Sequence, residues 1–182
     1  MPFNFSRDPI YPSVVIVDSI SFGDDRGWFR ELFRSSEFQK NDLPFSFDQV
    51  NQSFSKKKGT IRGLHLQIPP FEQGKFVYCT KGAIFDVAVD ITSKMGPGES
   101  WIGYELSEEN KRGIWIPKGF AHGFQTLIED TEVVYMTVGE YSPEAERSIN
   151  WRDEEIGVEW PLDNPTLSDK DKNAPNLEDA SL

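Results

Sequence analysis

Short apolar segments with a period of two recur along most of the chain, and they limit the possible folds more than any other feature. In AIFDVAVDI, residues 83–91, alternation places Phe85 and Val87 on one face and Asp86 and Asp90 on the other. Nine further segments have strand length and the same character: 14–18, 27–33, 47–53, 60–67, 75–82, 101–106, 112–117, 121–127 and 131–138. Many short strands without long helices predict an all-β protein, and we expect a double-sheet jelly roll, a cupin-like β-sandwich.

The segments between the strands predict turns, two short helices and an irregular tail. Gly96-Pro97-Gly98 is a turn signal, and Ser35-Ser36 before EFQKN predicts a capped helical turn. Residues 142–151 predict a second helical turn. From about Pro161 the chain is polar and rich in Asp, Asn and Lys, so composition alone predicts a frayed terminus. A length of 182 residues is typical of one domain, which we expect to span residues 1–182.

Charge and cysteine content exclude several classes of function. The chain has 19 basic and 30 acidic side chains and a net charge of −11, which repels polyanions and argues against a nucleic-acid partner. No apolar run approaches the roughly 20 residues that span a bilayer, so we expect no membrane partner. A single cysteine, Cys79, and the absence of a secretory signal in the first residues predict a cytoplasmic protein. An anionic small molecule is compatible with this charge where inward-facing arginines meet it.

His65, one of only two histidines, lies in the alternating segment 60–67. Strict alternation places His65 on one face of this strand and Arg62 on the other. Several further polar residues lie in or beside the predicted strands, where burial costs free energy unless they bind something or each other: Gln49, Asn51, Gln73 and Lys75. The strand pattern therefore predicts a polar cavity.

The chemistry that these residues favour is acid–base catalysis without a cofactor. The two histidines, His65 and His122, lie on separate segments and form no HxH or HxxxH pair, so we predict no metal and no cofactor. Cys79 lies beside no obvious base, which disfavours nucleophilic catalysis. A histidine oriented by a carboxylate can abstract a proton, a lysine can stabilise an oxyanion, and a tyrosine can supply a proton. Tyr135 and Tyr141 are both candidates for that acid.

Six or more ordered motifs give the chain a family resemblance that runs nearly end to end. The sequence resembles the dTDP-4-dehydrorhamnose 3,5-epimerases, jelly-roll sugar-nucleotide epimerases of rhamnose synthesis. The matching motifs include DDRGWFRELF at 24–33, DQVNQSFS at 48–55, RGLHLQIPPFEQGKFV at 62–77, IPKGFAHGF at 116–124, YSPEAERSINW at 141–151 and LSDKD at 167–171. The resemblance implies an isomerase that inverts carbons 3 and 5 of dTDP-4-dehydro-6-deoxy-D-glucose by removing protons next to the 4-keto group.

The resemblance also implies roles for individual residues. His65 would be the general base, Lys75 would stabilise the enolate and Tyr135 would be the acid. The carboxylate that pairs with His65 would be Asp171 or its neighbour Asp169, which makes the polar tail part of the site. The positions that match nucleotide, sugar or nearby aromatic contacts are Arg26, Phe29, Glu31, Gln49, Asn51, Arg62, His122, Tyr141 and Glu146.

The resemblance implies a homodimer in which Arg26 or Phe29 reaches the site of the partner. It leaves open whether carbon 3, carbon 5 or both are inverted, because single-centre epimerases and 4-keto-sugar isomerases share these motifs. The nucleotide is also open. A non-catalytic sugar-nucleotide-binding jelly roll is the alternative from another class, and it is favoured if His65, Lys75 and Tyr135 do not converge on one cavity.

Overall fold

Two antiparallel sheets form the molecule, and all ten predicted strand segments form strands within them or in a separate hairpin. A computed structural model describes residues 2–92 and 98–182, so most of the turn expected at 96–98 lies outside the described residues. The first sheet has six strands in the spatial order β1 (Phe3–Arg7), β2 (Val15–Ser19), β10 (Arg112–Ile116), β7 (Gly74–Lys81), β12 (Thr131–Val138) and β5 (Gln49–Ser55). The second has five in the order β13 (Glu146–Ser148), β6 (Ile61–Gln67), β11 (Phe120–Thr126), β8 (Ala83–Asp90) and β9 (Trp101–Ser107). A separate hairpin pairs β3 (Ser21–Asp24) with β4 (Gly27–Arg30).

The main hydrophobic core lies between the two sheets. Val77 and Ile114 of the six-stranded sheet pack in it with Ile84, Ala88 and other residues of the five-stranded sheet. Strand β8 is apolar on its other face as well, because a second cluster that includes Val87 covers the outside of the five-stranded sheet. Both faces of β8 are therefore buried, which fits the six apolar residues among its eight.

A third cluster covers the outer face of the six-stranded sheet. It centres on Phe38, which is fully buried on helix α1 (Ser35–Lys40) and contacts the rings of Phe3 and Phe76 edge to face. The helix was predicted, but its cap was not: Arg34 occupies the N-cap position without a side-chain hydrogen bond, and Ser35 already lies inside the helix.

The prediction of a second helical turn in 142–151 was wrong beyond its first residues. Glu146 and Ala145 close one turn onto the carbonyl of Ser142, and the chain then forms strand β13. Strand β13 pairs with β6, with Ser148 opposite His65. The free edge of β6 supplies hydrogen-bond partners that a local helical preference cannot outweigh.

The polar tail is ordered, contrary to the expectation from its composition. Thr166 forms a parallel bridge to Thr60, and a short helix α2 (Asp169–Lys172) and a 3-10 helix (Leu177–Asp179) follow. Within the described residues, no helix is long and apolar enough to cross a membrane.

Candidate active site

A cavity of about 590 Å³ lies between the two sheets and is closed on one side by the polar tail. The two sheets and the tail each contribute side chains to its wall. Ten of the thirteen site residues predicted from the sequence line it: Gln49, Asn51, Arg62, His65, Lys75, His122, Tyr135, Tyr141, Glu146 and Asp171. His65, Lys75 and Tyr135 therefore converge on one cavity. A non-catalytic binding module was favoured only if they did not.

His65 and Asp171 form a hydrogen-bonded pair in the wall of this cavity. The His65 Nε2 atom lies 2.6 Å from Asp171 Oδ1, and the Asp171 side chain is buried. Burial by itself would raise the pKa of Asp171, but hydrogen bonds from His65 and Ser168 outweigh it and hold this pKa below its usual value. An ionised Asp171 accepts the Nε2 proton, so Nδ1 of His65 carries the lone pair that can abstract a proton.

Helix α2 selects Asp171 over Asp169 as the partner of His65. Ser168 is the N-cap residue; its hydroxyl accepts from the Asp171 backbone N–H at 3.1 Å and donates to Asp171 Oδ2 at 2.7 Å. Asp169 occupies the first helical position and is exposed. A Ser followed three residues later by an acidic residue is a capping pattern, so the sequence carried a signal that distinguishes the two aspartates.

Lys75 and Tyr135 approach the cavity from the six-stranded sheet, opposite His65. Lys75 pairs with Thr137 across strands β7 and β12, and Tyr135 lies two residues before Thr137 on the same face. His65 lies on the five-stranded sheet, directly opposite His122. A flat ligand between the sheets would therefore have the histidine on one face and the tyrosine on the other.

The environment of the cavity shifts the pKa values of both Lys75 and Tyr135. Burial lowers the pKa of Lys75 to about 8, against the opposing attraction of Asp86 and Glu146. Burial raises the pKa of Tyr135, partly offset by the positive charge of Arg62. At neutral pH the lysine thus keeps most of its charge and the tyrosine keeps its proton.

Arg62 lies on the same side of β6 as His65, although strict alternation predicted opposite faces. Their partners on β11 are Phe124 and His122, which are two residues apart, so three steps along β6 match two steps along β11. The extra residue is a β-bulge at Gly63, whose φ is +124°. The Arg62 guanidinium donates to Ser55 Oγ at 3.1 Å and to the Phe54 carbonyl at 2.9 Å.

Two further pairs of polar side chains include residues of the cavity wall. His122 Nε2 lies 2.9 Å from Asp86 Oδ2, and both side chains are buried. Lys170 Nζ lies 2.6 Å from Glu146, which also accepts from the Tyr141 hydroxyl at 3.1 Å. Burial would raise the pKa of Glu146, but Lys170 and Tyr141 together lower it.

The structure does not bring Arg26, Phe29 and Glu31 to the cavity of the same chain. Arg26 and Phe29 lie on the exposed β3–β4 hairpin, where the Arg26 side chain is 89% exposed and pairs with Asp24. Glu31 forms a bidentate ion pair with Arg34. Arg26 and Phe29 would reach such a cavity if the hairpin met that of another molecule.

Sequence reasoning gave no role to Ser168 and Lys170, which line the cavity, or to Asp86, which is buried and hydrogen-bonded to the lining residue His122. Lys170 and Ser168 lie in the LSDKD motif, where only the aspartates were assigned a role. Asp86 was assigned only to the polar face of β8, although its carboxylate meets His122, which lines the cavity. A charged residue on an inward face is a signal for a site, and it was available from the alternation.

The fold and the site together define a jelly-roll protein with a histidine–aspartate pair, a lysine and a tyrosine around a cavity between its two sheets. The model of the dTDP-4-dehydrorhamnose 3,5-epimerases matches residues 10–179. The chain therefore belongs to the dTDP-4-dehydrorhamnose 3,5-epimerase family, and it is an enzyme of the isomerase class.

Individual relatives agree with this assignment. The dTDP-4-dehydrorhamnose 3,5-epimerase of Shigella flexneri is 48% identical over 170 residues, covering 93% of each chain. The crystal structure of the Sulfolobus tokodaii enzyme of the same name is 41% identical, with a TM-score of 0.87 over 100% of this chain and 99% of that one. A Legionella pneumophila dTDP-6-deoxy-D-glucose-3,5-epimerase in complex with dTDP-4-keto-L-rhamnose is 38% identical, with a TM-score of 0.88 over 97% of this chain and 93% of that one. The predicted family and jelly-roll fold are confirmed.

Proposed function

We propose that this chain inverts carbons 3 and 5 of dTDP-4-dehydro-6-deoxy-D-glucose to give dTDP-4-dehydro-L-rhamnose, with no metal or organic cofactor. The observation that supports this reaction most strongly is the placement of His65 and Tyr135 on opposite sheets, facing one cavity. Inversion requires a proton to leave one face of a carbon and to return to the other face. A base and an acid on opposite walls meet this requirement without any movement of the protein.

Each inversion then follows from the chemistry of the site. His65 removes the proton from a carbon next to the 4-keto group, and the electron pair of the broken C–H bond moves onto O4 as an enolate. The ammonium group of Lys75 stabilises the enolate oxygen. Tyr135 donates a proton to the opposite face of the carbon, and a new C–H bond forms as the carbonyl is restored. His65 and Tyr135 recover their starting protonation states by exchange with solvent.

Positive side chains around the cavity fit the diphosphate of the substrate despite the net charge of −11. Arg62 lines the cavity. Arg26 would join it from a partner subunit, because its own hairpin lies away from the cavity in the same chain. Short charge-assisted hydrogen bonds outweigh a distant field that salt screens. The working unit we propose is a homodimer of single-domain chains, residues 1–182, in the cytoplasm.

Solvent deuterium provides the direct test of this function. The enzyme is incubated in D₂O with dTDP-4-dehydro-6-deoxy-D-glucose, and NMR follows label and configuration at each carbon. We expect deuterium and inversion at both carbon 3 and carbon 5. Label at one carbon only would identify a single-centre epimerase, and binding without label would identify a non-catalytic module.

Two variants test the roles of the base and the acid in the same assay. His65→Asn should abolish exchange at both carbons, by 10³-fold or more as an order of magnitude. Tyr135→Phe should still admit deuterium while inversion slows by roughly 10²-fold, because only the return of the proton is impaired. Inversion by Tyr135→Phe at the wild-type rate would move the acid role to another residue or to water. Dialysis against a strong chelator should leave both activity and melting temperature unchanged.

A further inference from the structure

The chain that follows Asp171 is held against the loop 150–156, and Asp153 is the centre of this attachment. The Asp153 side chain is only 4% exposed. Its Oδ1 accepts the backbone N–H groups of Glu155 and Ile156, both at 2.9 Å, which closes a local turn. Its Oδ2 accepts the backbone N–H of Leu177 at 2.7 Å, so one carboxylate joins the loop to the tail.

Other contacts from the same part of the chain reinforce this attachment, which we call the distal anchor (residues 147–156 with 175–181). The Asn150 backbone N–H donates to the Pro175 carbonyl at 2.7 Å, and its side-chain amide donates to Asn176 at 2.9 Å. Arg147 Nε donates to the Ser181 carbonyl at 2.8 Å. Leu177 packs against the apolar cluster on the outer face of the five-stranded sheet. The other hydrogen-bond acceptors named in the distal anchor are backbone carbonyls and an amide oxygen, so Asp153 supplies its buried carboxylate.

The distal anchor bears on the site because helix α2 is too short to hold its own position. It has four residues, Asp169–Lys172, and isolated helices of that length do not form in water. Before the helix, the chain is fixed where Thr166 exchanges backbone hydrogen bonds with Gly59 and Ile61. Within the helix, Lys170 pairs with Glu146 through a long side chain, and after the helix the distal anchor is the next attachment of the backbone. Asp171 therefore sits on a span held at both ends, and its carboxylate must meet His65 at 2.6 Å.

We propose that Asp153 is a positioning residue for the reaction: it holds the tail so that the Asp171 carboxylate meets His65. Asp153 touches no substrate atom in this view and acts only through Asp171. The inference rests on the roles proposed above for His65 and Asp171. Groups that orient a reacting side chain have effects of about 10- to 100-fold when removed, and small misplacements of reacting groups have comparable effects.

The test is Asp153→Asn, with Glu154→Gln as a matched control on the same loop. An asparagine keeps one oxygen to close the turn at Glu155 and Ile156 but presents an NH₂ group to the Leu177 N–H. Glu154 is exposed, so its neutral variant changes the charge without touching the tail. We expect Asp153→Asn to lower kcat about 10-fold with KM changed less than about twofold, and Glu154→Gln to match the wild type.

A double-mutant cycle separates positioning from a general loss of structure. In an Asp171→Asn background the orienting carboxylate is already lost, so Asp153→Asn should change kcat less than about twofold there. A purely structural role would lower activity equally in both backgrounds.

A second pair of variants keeps the test valid if Asp153→Asn does not fold. Leu177→Pro removes the N–H that Asp153 accepts, at the first position of the 3-10 helix, where proline is tolerated. Leu177→Ala keeps the N–H and loses the same packing. Leu177→Pro should have the lower kcat, again only while Asp171 is present. Equal kcat values for this pair, or wild-type kcat for Asp153→Asn, would overturn the inference. Wild-type kcat for Asp171→Asn would instead overturn the proposed role of the His65–Asp171 pair.

Discussion

At the scale of the residue, hydrogen bonds and burial set the protonation states that the reaction needs. Asp171 is buried, which alone would favour its neutral form, yet hydrogen bonds from His65 and Ser168 keep its pKa below the usual value. Lys75 shows the opposite balance, since burial dominates and lowers its pKa to about 8. The site therefore holds a negative charge on Asp171 beside His65 and a positive charge on Lys75 that can be lost just above neutral pH.

Asp171→Asn should lower kcat by roughly 10²- to 10⁴-fold while substrate binding stays nearly intact. The amide cannot hold the histidine in the tautomer with a free Nδ1 or stabilise the imidazolium, and the loss of an orienting carboxylate has effects of this size in other enzymes. Asp169→Asn is the matched control, because Asp169 is exposed on the same helix. Steady-state kinetics with both variants checks this prediction. Equal losses in both would contradict the assignment of Asp171.

Lys75→Met should inactivate the enzyme and stabilise the fold at pH 7. The pKa of Lys75 is about 8 when folded against 10.5 ordinarily, so the unfolded state binds more protons between those values and stability rises with pH across that window. The full cost of burying the charge is thus present below pH 8. Replacement of the Lys75 ammonium by the neutral methionine side chain should raise the free energy of unfolding at pH 7 by up to about 3 kcal/mol, because each unit of pKa shift corresponds to roughly 1.4 kcal/mol.

Denaturant unfolding of both proteins at pH 7 and pH 9.5 measures this effect. The stability difference between Lys75→Met and the wild type should shrink at the higher pH. Activity of the wild type should fall on the alkaline side with a midpoint near pH 8, as the ammonium that stabilises the enolate loses its proton. A variant that is less stable than the wild type at pH 7 would show that burial of Lys75 carries no such cost.

At the scale of the element, the bulge in β6 decides which side chains share the cavity. Gly63 has a positive φ and lies against β11, so that Arg62 and His65 project to the same side. A Cβ atom at Gly63 would lie 2.5 Å from Gly123 Cα and 2.7 Å from the His122 carbonyl. Glycine is needed here for the close approach of two backbones as well as for its φ.

Gly63→Ala should therefore destabilise the protein by about 2 kcal/mol or more and lower activity together. The strands must separate to admit the methyl group, which displaces both Arg62 and His65. Gly59→Ala is the comparison, because Gly59 also has a positive φ but its Cβ would meet nothing within 4 Å. Thermal unfolding and kinetics on the two variants distinguish the clash from backbone strain alone. Similar losses in both would mean that the contact with β11 is not the cause.

At the scale of the whole molecule, exposed apolar side chains fit the homodimer proposed above. Phe22, Trp28 and Phe29 on the β3–β4 hairpin are each more than half exposed, as are Val50 and Phe54 on β5. Strand β5 is an edge strand of the six-stranded sheet, and its outward face carries Val50 and Phe54. Apolar edges of this kind favour association between chains. The hairpin residues Arg26 and Phe29 would then be available to the cavity of the partner.

Val50→Lys should shift the protein from a dimeric to a monomeric mass in light scattering at micromolar concentration. A charge on the edge strand opposes pairing with another chain. The monomer should also lose activity if Arg26 and Phe29 complete the site of the partner. Ile128→Lys places the same charge on another exposed apolar residue and should leave the mass unchanged. A wild-type protein that is monomeric at this concentration would contradict the proposed homodimer.

The sequence by itself determined most strands of the fold, with β1, β3 and β13 missed, and ten of the residues that line the cavity. Alternation is a local property, since neighbouring side chains on a strand must point to opposite faces, so the ten predicted strand segments could be read directly. The motifs also selected His65, Lys75 and Tyr135, and all three line one cavity.

Only the tertiary structure decided the features that depend on contacts between distant parts of the chain. The bulge that turns Arg62 toward His65 arises from the pairing of β6 with β11, and β13 exists because β6 offers it an edge. The tail is polar enough to be disordered alone, yet Thr60, Asp153 and His65 supply the partners that order it. Backbone hydrogen bonds and buried charges are satisfied by whichever group lies near in space, and no local pattern records which group that is.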